Sequence, residues 1–409
     1  MKRTKVHAFC VHTISTNNNF ITECAENPQK SRQNYLNNMK KTILCVAMAM
    51  CALAVNARTW RINYDENSSA DFRTLAQACA NANVHDGDVF YMEPGYHYGS
   101  ESDNTVTRRC TIVGPGWGFN TKAGEEIEVS TTHFTSSINI QHDSVHVIGL
   151  NAGQIYIYKS GESLSNPLKN VTIERCKVIS ISISNYTYGI NIRNNFFYSR
   201  YYNYSCLSLS SYFNYGVVEG NIILGRVSFP GASGVGSRFD HNTLIYYYSS
   251  SDYCITYATR TTMIITNNII IKTSSNYTQN VCDFANGVVN NYNVYSITPA
   301  QYAEETATGS TKYSDHPTNQ YIGATVENTF INDVEGLFFD EAMRYQVLEG
   351  SVAKTAASDG GECGAFGGSH PYVLCGRPTG IPYLYDVDVP EHTTNNTLTI
   401  SFKVAGQNE

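Results

Sequence analysis

The chain has 409 residues, with 28 Lys and Arg against 35 Asp and Glu, a formal net charge of −7. That length allows one large domain or two ordinary ones, and the acidic balance disfavours nucleic acid and anionic membranes as partners.

The first 57 residues do not read as folded protein. Met39 to Ala57 has a basic start at Lys40 and Lys41, an apolar run, and a Val55-Asn-Ala57 cleavage site. That is the form of a secretory signal peptide. Residues 1–38 have no reason to precede one, so they are expected to be a mis-assigned upstream extension. A single membrane anchor is the alternative, but the apolar run is short for a span. Met1–Ala57 holds seven Lys/Arg and two Asp/Glu, so its removal leaves 21 basic against 33 acidic residues, net −12. No later run is long enough to cross a bilayer, so the mature chain is expected outside the membrane, secreted or at the cell surface.

From Arg58 the chain changes character. Ala70 to Ala82 places Phe72, Leu75, Ala76, Cys79 and Ala82 on one helical face. A Gly87-Asp88 turn and the run Val89-Phe-Tyr-Met92 follow, then Pro94-Gly-Tyr and Gly114-Pro-Gly116.

Next comes a repeat. Its copies are Val171-Thr-Ile-Glu-Arg-Cys-Lys-Val178, Ile190-Asn-Ile-Arg-Asn-Asn-Phe-Phe197, Gly216-Val-Val-Glu-Gly-Asn-Ile-Ile223, Ser237-Arg-Phe-Asp-His-Asn-Thr-Leu244 and Met263-Ile-Ile-Thr-Asn-Asn-Ile-Ile270. Cys176, Asn195, Asn221, Asn242 and Asn268 share one position, and Asn293 is a slipped sixth copy. Their spacings of 19, 26, 21, 26 and 25 imply one solenoid turn each. Alternation sends one side chain inward and the next outward, so a strand of this kind buries one face and needs a stacked neighbour. The Asn is expected at the corner, because its amide tolerates left-handed backbone and can stack from turn to turn. A leucine-rich horseshoe shares the pattern. Here, however, leucine is scarce and the intervening segments are Ser/Tyr/Asn/Thr-rich without a helical period. The uneven spacing also excludes a hexapeptide left-handed helix. The expected class is all-β, a parallel β-solenoid.

The end of the chain is Gly-rich, from Ala356 to Gly368, followed by Pro371 to Pro378. Asp359 and Glu362 there are candidate Ca2+ ligands, against the competing reading of a tight turn that needs positive φ. Pro382–Val404 reads as one or two flanking strands. The expected division is therefore an extension over 1–38, a signal peptide over 39–57, a solenoid over 58–376 and flanking strands over 377–409. Eight cysteines remain after export and none form Cys-x-x-Cys, so zinc and redox motifs have no support. Cys254 with Cys282, and Cys363 with Cys375, are positioned to pair, or else to fill the core.

A helix, a Gly-Asp turn, a strand and Gly-Pro turns ahead of such a repeat resemble secreted bacterial right-handed parallel β-helix proteins of the pectate-lyase-like superfamily. The resemblance covers about Trp60 to Gly376 and implies a helix capping the open end of the core. It is specific for fold rather than activity. Pectin-degrading members would show an Asp-Asp pair with Gly-His-Gly and Arg-x-Lys, or calcium-binding aspartates with an Arg; the Asp-Asp, Gly-His-Gly and Arg-Ile-Lys strings are missing here.

Aligning the copies yields an outward column, Glu174, Arg193, Glu219, Asp240 and Thr266, and beside it Arg175, Asn194, Gly220, His241 and Asn267. Glu219 and Asp240 are expected about 5 Å apart on adjacent turns, next to Arg193 and His241. Two close carboxylates can divide acid and base roles, which suits glycoside hydrolysis or elimination from a uronic acid. The competing reading is a solvated charge ladder. Tyrosines cluster at 198–204, 212–215 and 246–248, which suits sugar faces as well as it suits a stabilising ladder. The function expected is a secreted, monomeric protein that binds or degrades a polysaccharide or cell-surface glycan on its side face, as a lyase or hydrolase if it is an enzyme. The alternative is a non-catalytic adhesion scaffold.

Overall fold

The computed structural model describes residues 57–117, 132–134, 136–184, 186–198, 205–230, 233–247, 252–256, 262–274, 281, 289–307, 316–331, 341–376, 383–388 and 401–405. The upstream extension, the signal segment before Ala57, and Cys282 lie outside them. The chain divides between Asn56 and Ala57, and the description concerns the second unit.

Among the described residues the protein is all-β with few helices, and its main sheets are parallel. One sheet has ten strands, from Thr59–Ile62 to Asn290–Asn291, each hydrogen-bonded to the equivalent strand of the next repeat. The register follows the sequence alignment: Glu174 pairs with Arg193, Arg193 with Glu219, Glu219 with Asp240, and Asp240 with Thr266. A second, fifteen-stranded sheet contains Ile222–Leu224, Thr243–Tyr246 and Ile269–Lys272. A third sheet has three strands, ending at Tyr212–Asn214. Such an order, in which each sheet takes one strand per repeat, is compatible with a parallel β-solenoid.

Alternation sets the core. Ile173, Ile192, Val218, Phe239 and Ile265, the middle residues of the three-residue strands, are fully buried in one apolar cluster. Strands of the second sheet depart from the one-face expectation. Ile223, Leu244 and Ile270 point into the main core, whereas Ile222, Leu224, Ile245, Ile269 and Ile271 join a second cluster with Trp117, Phe330, Tyr345 and Tyr372. Ala324, Phe330 and the stretch from Ala342 to Tyr372 therefore cover the outer face of this sheet, which is why its strands read as unbroken apolar runs.

The asparagines at the repeated position stack as expected, but not for the reason of backbone geometry. The left-handed residue is the preceding one: Arg175 (φ +56), Asn194 (+52), Gly220 (+66), His241 (+47) and Asn267 (+59). The Asn side chain instead turns inward. Asn195 Nδ2 donates to Asn221 Oδ1 (3.0 Å), Asn221 to Asn242 (2.9 Å), Asn242 to Asn268 (3.1 Å), Asn268 to Asn293 (2.9 Å) and Asn293 to Asn319 (3.3 Å). Asn293 is thus a regular member, and Asn319 adds a rung beyond it. Each amide also satisfies backbone groups at the corner, where a buried unpaired group would be costly.

The helix is shorter than its apolar face suggested, Leu75–Ala80, capped by the Thr74 hydroxyl accepting from Gln77 N. Leu75, Ala78 and Cys79 are its buried residues, while Phe72 bridges to Ile62 as β-structure. Cys254 and Cys363 are free buried thiols, so neither proposed disulfide is formed; Cys79, Cys110, Cys176 and Cys206 are likewise free and buried. Burial pushes the Cys254 thiol up to about 12, consistent with core filling rather than reactivity. Tyr383–Asp388 and Ser401–Ala405 pair antiparallel as a separate two-stranded sheet. Among the described residues no helix is long and apolar enough to cross a membrane.

Candidate functional site

The side column forms as the register dictates, yet its carboxylates do not become a proton-sharing pair. Glu219 and Asp240 are direct neighbours across two strands, but each turns to different partners. Glu219 Oε2 accepts from Arg238 Nη2 at 2.8 Å, and Glu219 Oε1 lies 3.2 Å from His370 Nδ1. Asp240 Oδ1 accepts from Thr266 Oγ1 (2.8 Å) and Asn267 Nδ2 (2.9 Å). His241 Nδ1 stands 3.3 Å from the same oxygen, outside good hydrogen-bond geometry, and Nε2 meets no partner among the described residues.

The electrostatics follow from those contacts. Burial by itself would raise the Asp240 carboxyl, but the adjacent His241 ring, together with the hydrogen bonds from Thr266 and Asn267, holds it below its ordinary value. Burial works against Glu174 in the same way and is overcome by His146, whose Nε2 lies 3.0 Å from Glu174 Oε1, with Arg175 and Arg193 adding to it. Neither group is poised to be a neutral acid near pH 7. Because both folded-state pKa values are depressed, their stabilisation is complete above the unfolded carboxylate range of about 4 and is lost as pH falls through the lower folded values. Acid unfolding of Asp240→Asn, followed by circular dichroism, should therefore show a shallower fall in stability below about pH 4 than the wild type; an unchanged slope would mean that the Asp240 contacts do not matter.

The expectation of an open outward column is corrected by the C-terminal segment. Residues 358–376 run back along the left-handed corners as a strap. Ser358 N donates to Asn267 Oδ1 (2.8 Å), Gly364 N to Asn267 O (2.8 Å) and Ala365 N to Thr243 Oγ1 (3.0 Å). Gly367 and Gly368 lie flat against the His241 ring, where a Cβ on Gly368 would stand 2.9 Å from it. At the far end Gly376 packs on Trp117, whose indole donates to Arg175 O at 3.0 Å. As a result the Glu219 side chain is only 3 % exposed and that of His241 only 8 %. Arg193 stands beside Glu219 in register, as expected, and its Nη2 donates to Asn191 Oδ1 (3.3 Å).

What remains accessible is the next position outward. Arg238 and His370, both on the Glu219 carboxylate, have side chains 44 % and 51 % exposed. Arg238 was legible in principle, since it lies two residues before Asp240 and so shares its face. His370 was not, because 151 residues separate it from Glu219.

The candidate calcium ligands stand elsewhere and apart in role. Glu362 Oε2 accepts from Lys354 Nζ at 2.8 Å, and Asp359 Oδ1 accepts from Gly361 N at 2.9 Å. Gly360 has φ +81, so the tight-turn reading accounts for this loop. A lysine already neutralises Glu362, and among the described residues no group of three or more His, Cys, Asp or Glu is close enough to hold a metal ion.

Tyrosines line the neighbouring three-stranded sheet. Tyr186 and Tyr212 stack at 4.9 Å between ring centres, and Tyr188 and Tyr215 pair at 4.8 Å. Tyr188 is 43 % and Tyr215 53 % exposed. Strand Tyr186–Tyr188 leads through Gly189 and Ile190 into Asn191–Arg193, so this aromatic strip flanks the Arg238 and His370 face across one corner. No family model matches the chain, and neither does any curated protein or solved structure it was compared with.

Proposed function

We propose that the chain is a secreted right-handed parallel β-helix, closed at its start by the helix Leu75–Ala80, that binds a neutral polysaccharide along its side face as a monomer. The observation that carries this is the half-exposed pair Tyr188 and Tyr215, from which the chain runs through Gly189 to Asn191, whose amide donates to Thr172 Oγ1. Tyrosine offers an apolar ring with a polar tip, the combination that sugar rings require. The neutral class follows from the acidic net charge, which repels a polyanion.

A panel of plant, algal and host glycans, screened by isothermal titration with and without calcium, tests the reading. The double variant Tyr188→Ala/Tyr215→Ala should weaken the best ligand at least tenfold, roughly 1.4 kcal/mol or more, while Tyr98→Ala, an exposed tyrosine on another sheet edge, should not. Equal affinity in both variants would remove the aromatic strip from the site. The scaffold reading, without glycan recognition, predicts silence across the whole panel.

A further inference from the structure

We infer that His370, Glu219 and Arg238 form a hydrolytic site for carboxylic esters carried on the bound glycan. The inference takes its substrate from the glycan reading above and its chemistry from the site alone. Glu219 is a buried carboxylate placed between two exposed groups. Arg238 donates to one oxygen, and the other faces His370 as an acceptor, which places the ring proton at Nδ1, donating to Oε1. Ser369 Oγ, 3.0 Å from the same nitrogen, can accept a second share of that N–H. Nε2 is then the unprotonated nitrogen. It has no protein partner among the described residues, and the ring is half in solvent.

A base aimed at solvent beside a guanidinium is the minimal set for acyl hydrolysis. His370 Nε2 takes a proton from a water, whose oxygen attacks the ester carbonyl carbon. The carbonyl electron pair moves onto oxygen, where the N–H groups of Arg238 not used by Glu219 hold the charge. The tetrahedral intermediate collapses with cleavage of the bond to the alkoxy oxygen, which receives the proton from Nε2; acid and alcohol leave.

The alternatives fit less well. Cleavage of a glycosidic bond needs one carboxyl held protonated, whereas Glu219 and Asp240 each sit among donors. Attack next to a free carboxylate needs surplus positive charge, and here Glu219 cancels Arg238 while Glu174 faces Arg193 across adjacent strands. An uncharged ester places no such demand.

The full-length exported chain would be assayed on 4-nitrophenyl acetate, on O-acetylated xylan and on methyl-esterified pectin, the last two arms separating an acetyl from a methyl ester. Wild type should hydrolyse the small ester and one polymer. His370→Ala should lose at least 100-fold in kcat with glycan affinity kept, while His85→Ala, an exposed histidine elsewhere, should lose nothing. Glu219 is a positioning residue, so Glu219→Gln should lower kcat at constant KM and move the acidic limb of the pH–rate profile. Arg238→Gln should lose tenfold or more. Glycan binding without ester hydrolysis, or full activity in His370→Ala, overturns the inference and leaves the binding reading intact. His370-dependent hydrolysis of the small ester without glycan binding does the reverse.

Discussion

Asn242→Ala is expected to lower the unfolding free energy by about 4 kcal/mol. The Asn242 amide donates to Val218 O (2.9 Å), Asp240 O (3.0 Å) and Asn268 Oδ1, and its oxygen accepts from both Asn221 N (3.1 Å) and Asn221 Nδ2 (2.9 Å). Asn268 Oδ1 keeps Asn242 N as a donor, and Asn221 Nδ2 keeps Ile192 O and Glu219 O. The backbone N–H of Asn221 loses its side-chain acceptor at a fully buried corner, and Val218 O and Asp240 O each lose the amide donor. Each such group costs about 1–3 kcal/mol, and the small void adds to it. Urea unfolding should show a lower midpoint at an unchanged slope, while Asn166→Ala, exposed, should stay within about 0.5 kcal/mol of wild type. A loss under about 1 kcal/mol for Asn242→Ala would mean that the ladder is incidental to stability.

Gly367→Ala should be nearly as damaging, for a steric reason. A Cβ at Gly367 would lie 1.8 Å from Glu362 O and 3.1 Å from the His241 ring. The nearest obstacle is backbone, so no rotamer change relieves it and the strap must lift from the corner. Overpacking of this kind costs about 3 kcal/mol. The diagnostic readout is local: proteolysis should cut within residues 363–376 faster than elsewhere, and ester hydrolysis should fall because His370 leaves Glu219. Gly360→Ala provides the contrast. Its φ of +81 is strained for alanine, yet nothing lies within 4 Å, so it should cost only about 1 kcal/mol and leave the strap closed. Equal proteolysis of the two variants would show that the strap is not held by this contact.

The parallel register, the inward apolar column and the stacked asparagines were legible in the sequence because all three depend on local alternation and a repeat of 19 to 26 residues. The adjacency of Arg193, Glu219 and Asp240 was legible for the same reason. The left-handed position was misassigned by one residue. Arg175 and His241 carry positive φ although neither type advertises it, because the ladder needs the Asn one step later, where its amide faces the corner.

By itself the sequence determined the all-β class, the parallel pairing and which residues share a face, since a two-residue period and a fixed repeat are properties of the strand. Only the tertiary structure decided that the supposed outer face is covered, that Glu219 answers to Arg238 and His370 rather than to Asp240, and that Ile222, Ile245 and Ile269 lie in a second core. Those outcomes depend on where a distant C-terminal segment lays its apolar side chains. No local period encodes that choice: it is made by burying Phe330, Tyr345 and Tyr372 against a sheet built about a hundred residues earlier.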